Sequence, residues 1–240
     1  MSEFERYKPK YIQLVERIKR EILNNDLKKG DRLLSENELK KIYNVSSTTV
    51  RKCIDILKHE GLINRVQGVG TFVNKPYIER SLKKILSFTK NMEQVGLKPS
   101  SKVLEKKIIP AREHYGEKLK LNPDEKILRL KRLRFGSDIP MMLETRYISI
   151  KNCPAIIEKD LTGSLYDIYE TFYGIILTKA QQNLKIVFLK DRDAKLLGCE
   201  PGDPAFLVTG VTYSANEEPV EYEESLYRGD EYEFFVEVGH

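Results

Sequence analysis

Two helix starts set close together constrain the fold of this 240-residue chain more than any other feature. Ser35 is followed three residues later by Glu38, which is the spacing of a capping box. The helix that begins there must be short, because Asn44 favours the left-handed backbone of a tight turn. Ser46 then supplies the N-cap of another helix. The sequence therefore predicts two helices joined by a tight turn.

Three helices are predicted in the first 60 residues. The first runs from Tyr11 to Asn25, where apolar residues recur at spacings of three and four. The second runs from Ser35 to near Tyr43, and the third runs from about Ser47 to His59, with one apolar face and one polar face. In a helix-turn-helix of this kind, the second helix of the pair can lie in the major groove of DNA with its N-terminal residues against base edges.

The polar face of the third helix suits contact with DNA, because hydroxyl and guanidinium groups bind base edges and phosphates. Its first polar residues are Ser47, Thr48, Thr49, Arg51 and Lys52. A solvated helix face is the alternative interpretation. The segment Leu62–Val73 favours DNA contact, because it predicts two short strands around a Gly68-Val69-Gly70 tip, which is a β-hairpin wing.

Charge is distributed unevenly along the chain. Residues 1–75 contain 16 Lys and Arg against 10 Asp and Glu, a balance of +6, whereas residues 76–240 contain 25 against 26, a balance of −1. A basic head on a nearly neutral body is typical of nucleic-acid-binding proteins, although many small basic domains bind no nucleic acid.

Composition argues against several other classes of protein. No apolar run approaches the roughly 20 residues of a membrane helix, and the polar N-terminus lacks the core of a signal peptide, so we expect a cytoplasmic protein without membrane contact. Cys53, Cys153 and Cys199 are far apart and odd in number, which indicates reduced thiols. The three histidines are not spaced as ligands, and we predict neither a metal nor a cofactor.

Five motifs in the head occur together in a known family. They are Ser35-Glu36, Val45-Ser46, Thr49-Val50-Arg51, Glu60-Gly61-Leu62-Ile63 and Gln67-Gly68-Val69-Gly70-Thr71-Phe72-Val73. They resemble the DNA-binding head of the GntR family of bacterial regulators, which implies binding of a two-fold dimer to double-stranded operator DNA. The DNA-binding residues implied are Ser35, Asn37, Ser46, Ser47, Thr48, Thr49, Arg51, Gln67, Gly68 and Gly70. Family members often have basic residues at the positions of Asn37, Ser47 and Val69, which leaves the operator sequence and affinity open.

Beyond a hinge at Asn74-Lys75-Pro76, strand-like and helix-like segments alternate. Strands are predicted at 101–109, 127–135, 141–149, 174–187, 205–214, 220–227 and 232–238, and helices at 82–94, 112–119, 165–172 and 191–197. Strands dominate and most connections are short, which predicts an antiparallel sheet with helices packed on it. Turns at 123–125 and 200–203 each follow a helix and precede a strand, which hints at an internal duplication.

Arg132 and Arg134 alternate with apolar residues on one predicted strand, so their side chains share a face. Two guanidinium groups so placed suit a phosphate or carboxylate. Ser164 precedes a predicted helix, whose first N–H groups also favour an anion. Other polar residues on strands with apolar neighbours are Glu144, Glu221 and Tyr227. The alternative interpretation is that the arginines are exposed and that residues 221–224 form a solvated edge.

A second set of motifs covers the body of the chain: Ser87-Phe88-Thr89, Arg132-Leu133-Arg134, residues 138–141, 161–166, 219–222 and 225–230. They resemble the effector domain of the HutC subfamily, which has a chorismate-lyase-like fold. By resemblance to members that sense amino-sugar phosphates, the phosphate would be bound by Arg132, Arg134, Ser164, Tyr166 and Tyr227. Glu144 and Glu221 would face the sugar, and backbone groups of Ser87, Phe88 and Thr89 would contribute.

The fold class predicted is α+β, with a winged helix-turn-helix domain (1–75), a linker (76–81) and an effector-binding and dimerisation domain (82–240) built on a chorismate-lyase-like antiparallel sheet. The function predicted is that of a homodimeric transcription repressor controlled by a small-molecule effector, expected to be a sugar phosphate. One alternative is an enzyme acting on a small carboxylate. Another is a protein that binds DNA without sequence preference, which leaves the predicted pocket unexplained.

Overall fold

The structure is a computed structural model that describes residues 8–23, 26–74, 77–82 and 85–238. The chain divides into two compact units, residues 1–76 and residues 77–240. Each unit has its own apolar core. The predicted helix end at Asn25 and the hinge residues Lys75 and Pro76 lie outside the described residues.

The N-terminal unit consists of three helices and a hairpin: α1 (Lys10–Leu23), α2 (Glu36–Tyr43), α3 (Ser47–His59), β1 (Ile63–Val66) and β2 (Gly70–Val73). The two strands pair antiparallel. The apolar faces of the three helices meet in one core around Ile18, Leu39 and Leu57, each of which is fully buried. The amphipathic patterns predicted from the sequence are therefore confirmed, together with the winged helix-turn-helix arrangement.

Capping interactions explain where α2 and α3 begin. The Ser35 side chain accepts a hydrogen bond from the Glu38 backbone N–H, and the Glu38 carboxylate accepts one from the Ser35 N–H at 2.8 Å. Asn44 ends α2 in the left-handed conformation, with φ 49° and ψ 54°. Ser46 caps α3 by accepting a hydrogen bond from the Thr49 N–H. The predicted capping box, tight turn and second N-cap are all present.

A six-stranded antiparallel sheet forms the centre of the C-terminal unit. Its strands are β4 (Pro99–Pro110), β5 (Lys126–Gly136), β6 (Ile139–Ser149), β7 (Leu177–Phe188), β8 (Pro204–Ser214) and β9 (Pro219–Arg228), in the spatial order β4-β5-β6-β9-β8-β7. The helices are α4 (Phe88–Gln94), α5 (Arg112–Leu119), α6 (Leu165–Tyr173) and α7 (Asp191–Leu197). α6 packs on the face that carries Leu128 and Leu130, whereas α5 and α7 pack on the face that carries Ile127 and Leu133.

The sheet order supports an internal duplication. Residues 99–149 run strand, helix, strand, strand, and residues 177–228 repeat that sequence of elements. The two halves lie in mirrored order, with β6 and β9 adjacent at the centre. Each of the two equivalent helices ends in a left-handed residue, Lys120 after α5 and Gly198 after α7.

Two sequence predictions require correction. Residues 78–81 are predicted to belong to the linker, but Ile78–Ser81 form strand β3, which pairs in parallel with β10 (Tyr232–Phe235). Its partner lies about 150 residues away, so no local pattern indicates the pairing. The helix predicted from Leu82 begins instead at Phe88, because Ser87 is its N-cap and accepts a hydrogen bond from the Lys90 N–H.

Candidate functional site

The polar residues predicted to contact DNA lie at the N-terminal ends of α2 and α3 and at the wing. The hydroxyl groups of Ser35 and Ser46 are used as helix caps. The Thr49 hydroxyl lies 3.0 Å from the Ser46 hydroxyl, so it also belongs to the cap of α3. Ser47 and Thr48 are exposed. The caps therefore fix the helix start, and the exposed residues of its first turn are available to a partner.

Glu36 links the exposed face of α3 to the wing. The Arg51 Nε atom lies 3.4 Å from one oxygen of the Glu36 carboxylate, and an Arg65 guanidinium nitrogen lies 3.6 Å from the other. Asn37, the next residue, is exposed. The Arg51 side chain is 72% exposed, so solvent screens these ion pairs. Both arginines can therefore exchange Glu36 for a phosphate.

The wing tip presents Gln67, Gly68 and Val69 to solvent. Gly68 and Gly70 have φ values of +77° and +152°, which L side chains rarely adopt. A Cβ atom at Gly70 would lie only 2.8 Å from Arg32 Nε, so this glycine lets an arginine pack against the wing.

A shallow depression joins these elements into one surface, and it is lined by Arg32, Leu33, Ser35, Glu36, Arg65, Val66 and residues 68–71. Arg32 and Arg65 are not among the residues predicted to contact DNA. Each is basic and adjoins a predicted motif, and that proximity is a signal from which a DNA contact could have been predicted. Their meeting at one depression depends on how the hairpin folds back, which no local pattern indicates. The surface combines hydroxyl groups with three arginines, counting Arg51, and can therefore bind phosphates and base edges.

Arg132 and Arg134 lie on the same face of β5 and are 1% and 2% exposed, which excludes the interpretation of a solvated arginine pair. One Arg132 guanidinium nitrogen donates to the carbonyl oxygens of Leu161 at 2.7 Å and Gly163 at 2.8 Å. These carbonyls precede Ser164, the N-cap of α6. Arg132 therefore fixes the loop that leads into that helix.

Arg134 contacts the other helix beside the cavity. A guanidinium nitrogen donates to the Thr89 hydroxyl at 3.3 Å, and its Cζ atom lies 4.5 Å from the centre of the Phe88 ring. Both residues are in the first turn of α4, directly after the N-cap Ser87. The two arginines thus hold the N-terminal ends of two helices at one cavity.

Glu144 on β6 is the main counterion of the arginine pair. Its carboxylate accepts a hydrogen bond from Arg132 Nε at 2.6 Å, and it lies 3.5 Å from Arg134 and 3.2 Å from Arg146. Burial alone would raise the pKa of Glu144, but the attraction of three guanidinium groups outweighs it and holds the pKa well below its usual range. Burial lowers the pKa of Arg134 to about 10, because the nearby Glu144 charge compensates it only in part.

A second group of buried charges lies next to this cluster. Arg146 lies 2.8 Å from the Glu221 carboxylate and 2.6 Å from that of Glu223. The Tyr169 hydroxyl donates to Glu221 at 2.6 Å. Burial raises the pKa of Glu221, although the charge of Arg146 opposes the rise.

One cavity brings together nine of the ten predicted effector-binding residues: Ser87, Phe88, Thr89, Arg132, Arg134, Glu144, Ser164, Tyr166 and Tyr227. Glu221 is the exception, because it is fully buried and bonded to Arg146 and Tyr169 instead of lining the cavity. Arg146 and Arg80 also line the cavity and were missed. Arg146 follows Glu144 by two residues on one strand, which is a readable signal, whereas Arg80 lies in the segment assigned to the linker.

Two protein-family models match the chain. The model for the UTRA domain matches residues 94–233, and the model for bacterial regulatory proteins of the gntR family matches residues 10–73. The chain belongs to the gntR family. It is a DNA-binding transcription regulator with a C-terminal UTRA effector domain, which implies operator DNA and a small-molecule effector as partners.

Curated relatives match this gntR-family chain over nearly its whole length. The HTH-type transcriptional repressor NagR of Bacillus subtilis (strain 168) is 33% identical over 226 residues, covering 94% of this chain and 93% of NagR. The mannosyl-D-glycerate transport/metabolism system repressor MngR of Escherichia coli (strain K12) is 25% identical over 228 residues, covering 95% of each chain.

A solved structure also matches the whole chain. PhnF from Mycobacterium smegmatis superposes with a TM-score of 0.70 at 26% identity, and the match covers 94% of this chain and 98% of PhnF. The order of a DNA-binding head followed by a UTRA domain is therefore supported by sequence and by structure.

Across the described ranges, none of the helices combines the length and the apolar character needed to span a bilayer. Over the same residues, no three His, Cys, Asp or Glu side chains are grouped as metal ligands would be.

Cys53 and Cys153 are buried free thiols, and burial raises the pKa of each to about 12.

Proposed function

We propose that this regulator represses an operon for the uptake or catabolism of a sugar or amino sugar, and that a phosphorylated sugar bound in the UTRA cavity releases it from its operator or remodels it there. The observation that carries the proposal is the buried arginine pair, which faces a cavity beside two helix N-terminal ends. Guanidinium groups and helix N-terminal N–H groups are both suited to phosphate.

The charges around the cavity favour an anion. The arginines are Arg80, Arg132, Arg134 and Arg146, and the buried carboxylates are Glu144, Glu221 and Glu223. With all of them ionised, four positive charges stand against three negative ones, and the raised pKa of Glu221 moves the balance further toward positive. A buried excess charge is unfavourable unless it is paired, so a phosphate would stabilise this arrangement.

The functions of the relatives agree with control of a sugar-related operon. MngR is a repressor of mannosyl-D-glycerate transport and metabolism, and a further relative in Escherichia coli (strain K12), 28% identical over 233 residues, is a probable repressor of fructoselysine utilization. NagR is likewise a repressor. These functions support repression of a sugar operon by this chain without naming its effector.

On DNA, the proposal assigns base and phosphate contacts to the first turn of α3, to Arg51 and to the wing. The effector changes this binding only if it has different affinities for the DNA-bound and free arrangements of the protein. Because Glu144 pairs with both Arg132 and Arg134, a phosphate competes with that carboxylate. Rearrangement of this buried ion cluster is therefore the proposed first event.

We further propose that the protein is a homodimer formed through the β7 edge of the sheet. β7 is twelve residues long and pairs only on one side with β8 among the described residues. Its Leu184, Ile186 and Phe188 side chains share one face and are exposed. An uncovered, apolar edge strand favours pairing with another strand, and a second copy offers the same edge.

The test is a fluorescence anisotropy titration of the full-length protein on DNA from upstream of its own operon, without and with a panel of hexose and amino-sugar phosphates. We expect specific binding that one or more phosphorylated sugars weaken. Arg134→Ala should retain DNA binding and lose the response, whereas Arg129→Ala, on the opposite face of β5, should behave like the wild type. Specific binding that no phosphorylated sugar alters would refute the effector half of the proposal.

A further inference from the structure

The cavity contains unused hydrogen-bond donors that are unevenly distributed among its arginines. Arg132 uses Nε and one terminal nitrogen for Glu144 and two carbonyl oxygens, and its other terminal nitrogen is ion-paired with the same Glu144. Arg134 Nε is buried and has no hydrogen-bond partner. The same is true of Arg80 Nη1. Among the described residues, the buried arginine donors without a hydrogen-bond partner therefore belong to Arg134 and Arg80.

Arg80 is held at the cavity by contacts that leave this nitrogen unpaired. Its Cζ atom lies 4.6 Å from the centre of the Tyr227 ring and 5.7 Å from that of Phe234. Its other terminal nitrogen is 3.9 Å from the Glu223 carboxylate, which is too long for a hydrogen bond. The side chain is only 16% exposed. An arginine held largely by aromatic rings keeps donor capacity for a ligand, and in Arg80 the buried donor without a partner is Nη1.

Arg80 and Arg134 line the same cavity, which Tyr227 also lines. The Tyr227 ring that Arg80 covers has its centre 5.0 Å from that of the Tyr232 ring. Burial raises the pKa of Tyr232, and the charges of both arginines oppose that rise. The Tyr232 hydroxyl is itself buried without a hydrogen-bond partner. Unpaired buried donors are unfavourable, and an anion with several acceptor oxygens would satisfy more than one of them.

We propose that Arg80 binds the anionic group of the effector together with Arg134, and that Arg132 in addition positions the α6 loop. The proposal rests on the proposed function and specifies which side chains carry out recognition. Arg80 is on β3, the first strand after residue 76, and β3 is held by pairing with β10 through bonds such as Ile78 N–H to Glu231 O at 2.7 Å. An anion bound by Arg80 would stabilise that strand.

The experiment compares the full-length wild type with Arg80→Gln, Arg80→Lys and the control Arg129→Gln. Arg129 lies on the opposite face of β5 and pairs with Glu105, so the control removes the same charge from the same unit. The probes are inorganic phosphate and hexose and amino-sugar 6-phosphates, each beside its unphosphorylated sugar. Binding is measured by calorimetry and by the ligand-induced shift in melting temperature.

We expect Arg80→Gln to lose at least ten-fold in affinity for the phosphorylated probes that the wild type binds. Arg80→Lys should lose less, because it keeps the charge without the planar fork of donors. Arg129→Gln should match the wild type. A purely structural role would instead lower the melting temperature without ligand and leave the affinity of the folded fraction unchanged.

Two outcomes overturn the proposal in distinguishable ways. If Arg80→Gln binds the phosphorylated probes as the wild type does, Arg80 is not a ligand, and the proposed effector class still stands. If the wild type binds none of the phosphorylated probes, the effector class fails and the role of Arg80 fails with it. If Arg80→Gln does not fold, Arg80→Lys decides the matter, and wild-type affinity in that variant refutes the role.

Discussion

Arg51 is the residue on which, in the proposed binding mode, operator recognition by the α3 helix most depends. It is exposed beside Thr48, and its only ion pair, among the described contacts, is a long one to Glu36. The first turn of α3, residues 47–50, contains no charged side chain, so Arg51 is the first one on this helix that could contact DNA. A contact from Arg51 to a base would therefore carry much of the specificity in the proposed binding mode.

Arg51→Ala is expected to weaken operator binding by about 1–3 kcal/mol, or roughly 5- to 150-fold, because one arginine contact to a base is lost. Fold and melting temperature should not change, since the side chain is exposed. The measurement is an anisotropy titration on operator and on scrambled DNA at fixed salt. Lys58→Ala, which removes the same charge from the last turn of the same helix, is the control. Equal operator affinity in both variants would contradict the assignment.

Arg132 illustrates a different kind of residue, one whose charge stabilises the fold of the cavity. Arg132→Met should destabilise the protein by about 3–5 kcal/mol, because Glu144 and two carbonyl groups lose a buried partner. Chemical denaturation of the UTRA unit measures this. Arg129→Met breaks an exposed ion pair with Glu105 and should change stability by about 1 kcal/mol or less. Equal stability of the two variants would show that Arg132 does not organise the cavity.

At the scale of elements, strands β7, β8 and β9 are joined by a contact that crosses the middle strand. Gln182 on β7 donates a hydrogen bond to Glu223 on β9, and Gly210 of β8 lies between them in register. A Cβ atom at Gly210 would lie 2.2 Å from the Gln181 carbonyl oxygen and 2.8 Å from Gln182 Cα. The absence of a side chain at this glycine lets the three strands pack.

Gly210→Ala should therefore displace β7 and destabilise the protein by about 1–3 kcal/mol, the usual range for overpacking. Hydrogen exchange should show faster exchange in residues 177–188 and little change in the N-terminal unit. Gly163→Ala is the control, because a Cβ atom added at Gly163 would meet nothing within 4 Å and its φ is not in the left-handed region. A variant at Gly210 with wild-type stability and exchange would show that the strands adjust freely.

The elements that could be predicted from sequence are those with local signals. Ser35, Asn44 and Ser46 mark helix boundaries by their own side chains, so α2 and α3 could be placed to within one residue. Strands of the sheet could be placed to within about three residues at most ends, because alternation of apolar residues is also local. β3 could not be predicted, because four residues carry little pattern and its partner lies at the far end of the chain.

The cavity residues divide in the same way into those with local sequence signals and those placed by non-local contacts. Arg132 and Arg134 are two residues apart on one strand, so their common face could be predicted, while their deep burial depends on α4 and α6 covering them. Arg80 reaches the cavity only because β3 pairs with β10, which is a non-local event. Glu221 lies on the predicted strand face, yet its hydrogen bonds to Tyr169 and Arg146 turn it away from the cavity lining.

At the scale of the whole molecule, the proposed dimer would make two heads act together. The excess positive charge lies in residues 1–75, whereas the exposed apolar edge lies on β7 of the other unit. A dimer formed through β7 would bring two basic heads to half-sites about 34 Å, or a multiple of it, apart on the DNA. In such a dimer, the affinity for operator DNA depends on residues of β7, which do not contact the DNA.

Ile186→Glu tests this dependence. Ile186 is 68% exposed on the apolar face of β7, and a carboxylate there should prevent the two edges from packing, so light scattering should show a monomer. Operator affinity should fall at least ten-fold, because the second head no longer binds as part of the same molecule. Binding to DNA with a single half-site should not change.

Asn183→Glu, the control, places the same charge on the opposite face of β7 and should leave oligomeric state and operator affinity as in the wild type. A variant at Ile186 that stays dimeric would place the interface elsewhere, and a monomer with full operator affinity would mean that the heads bind independently.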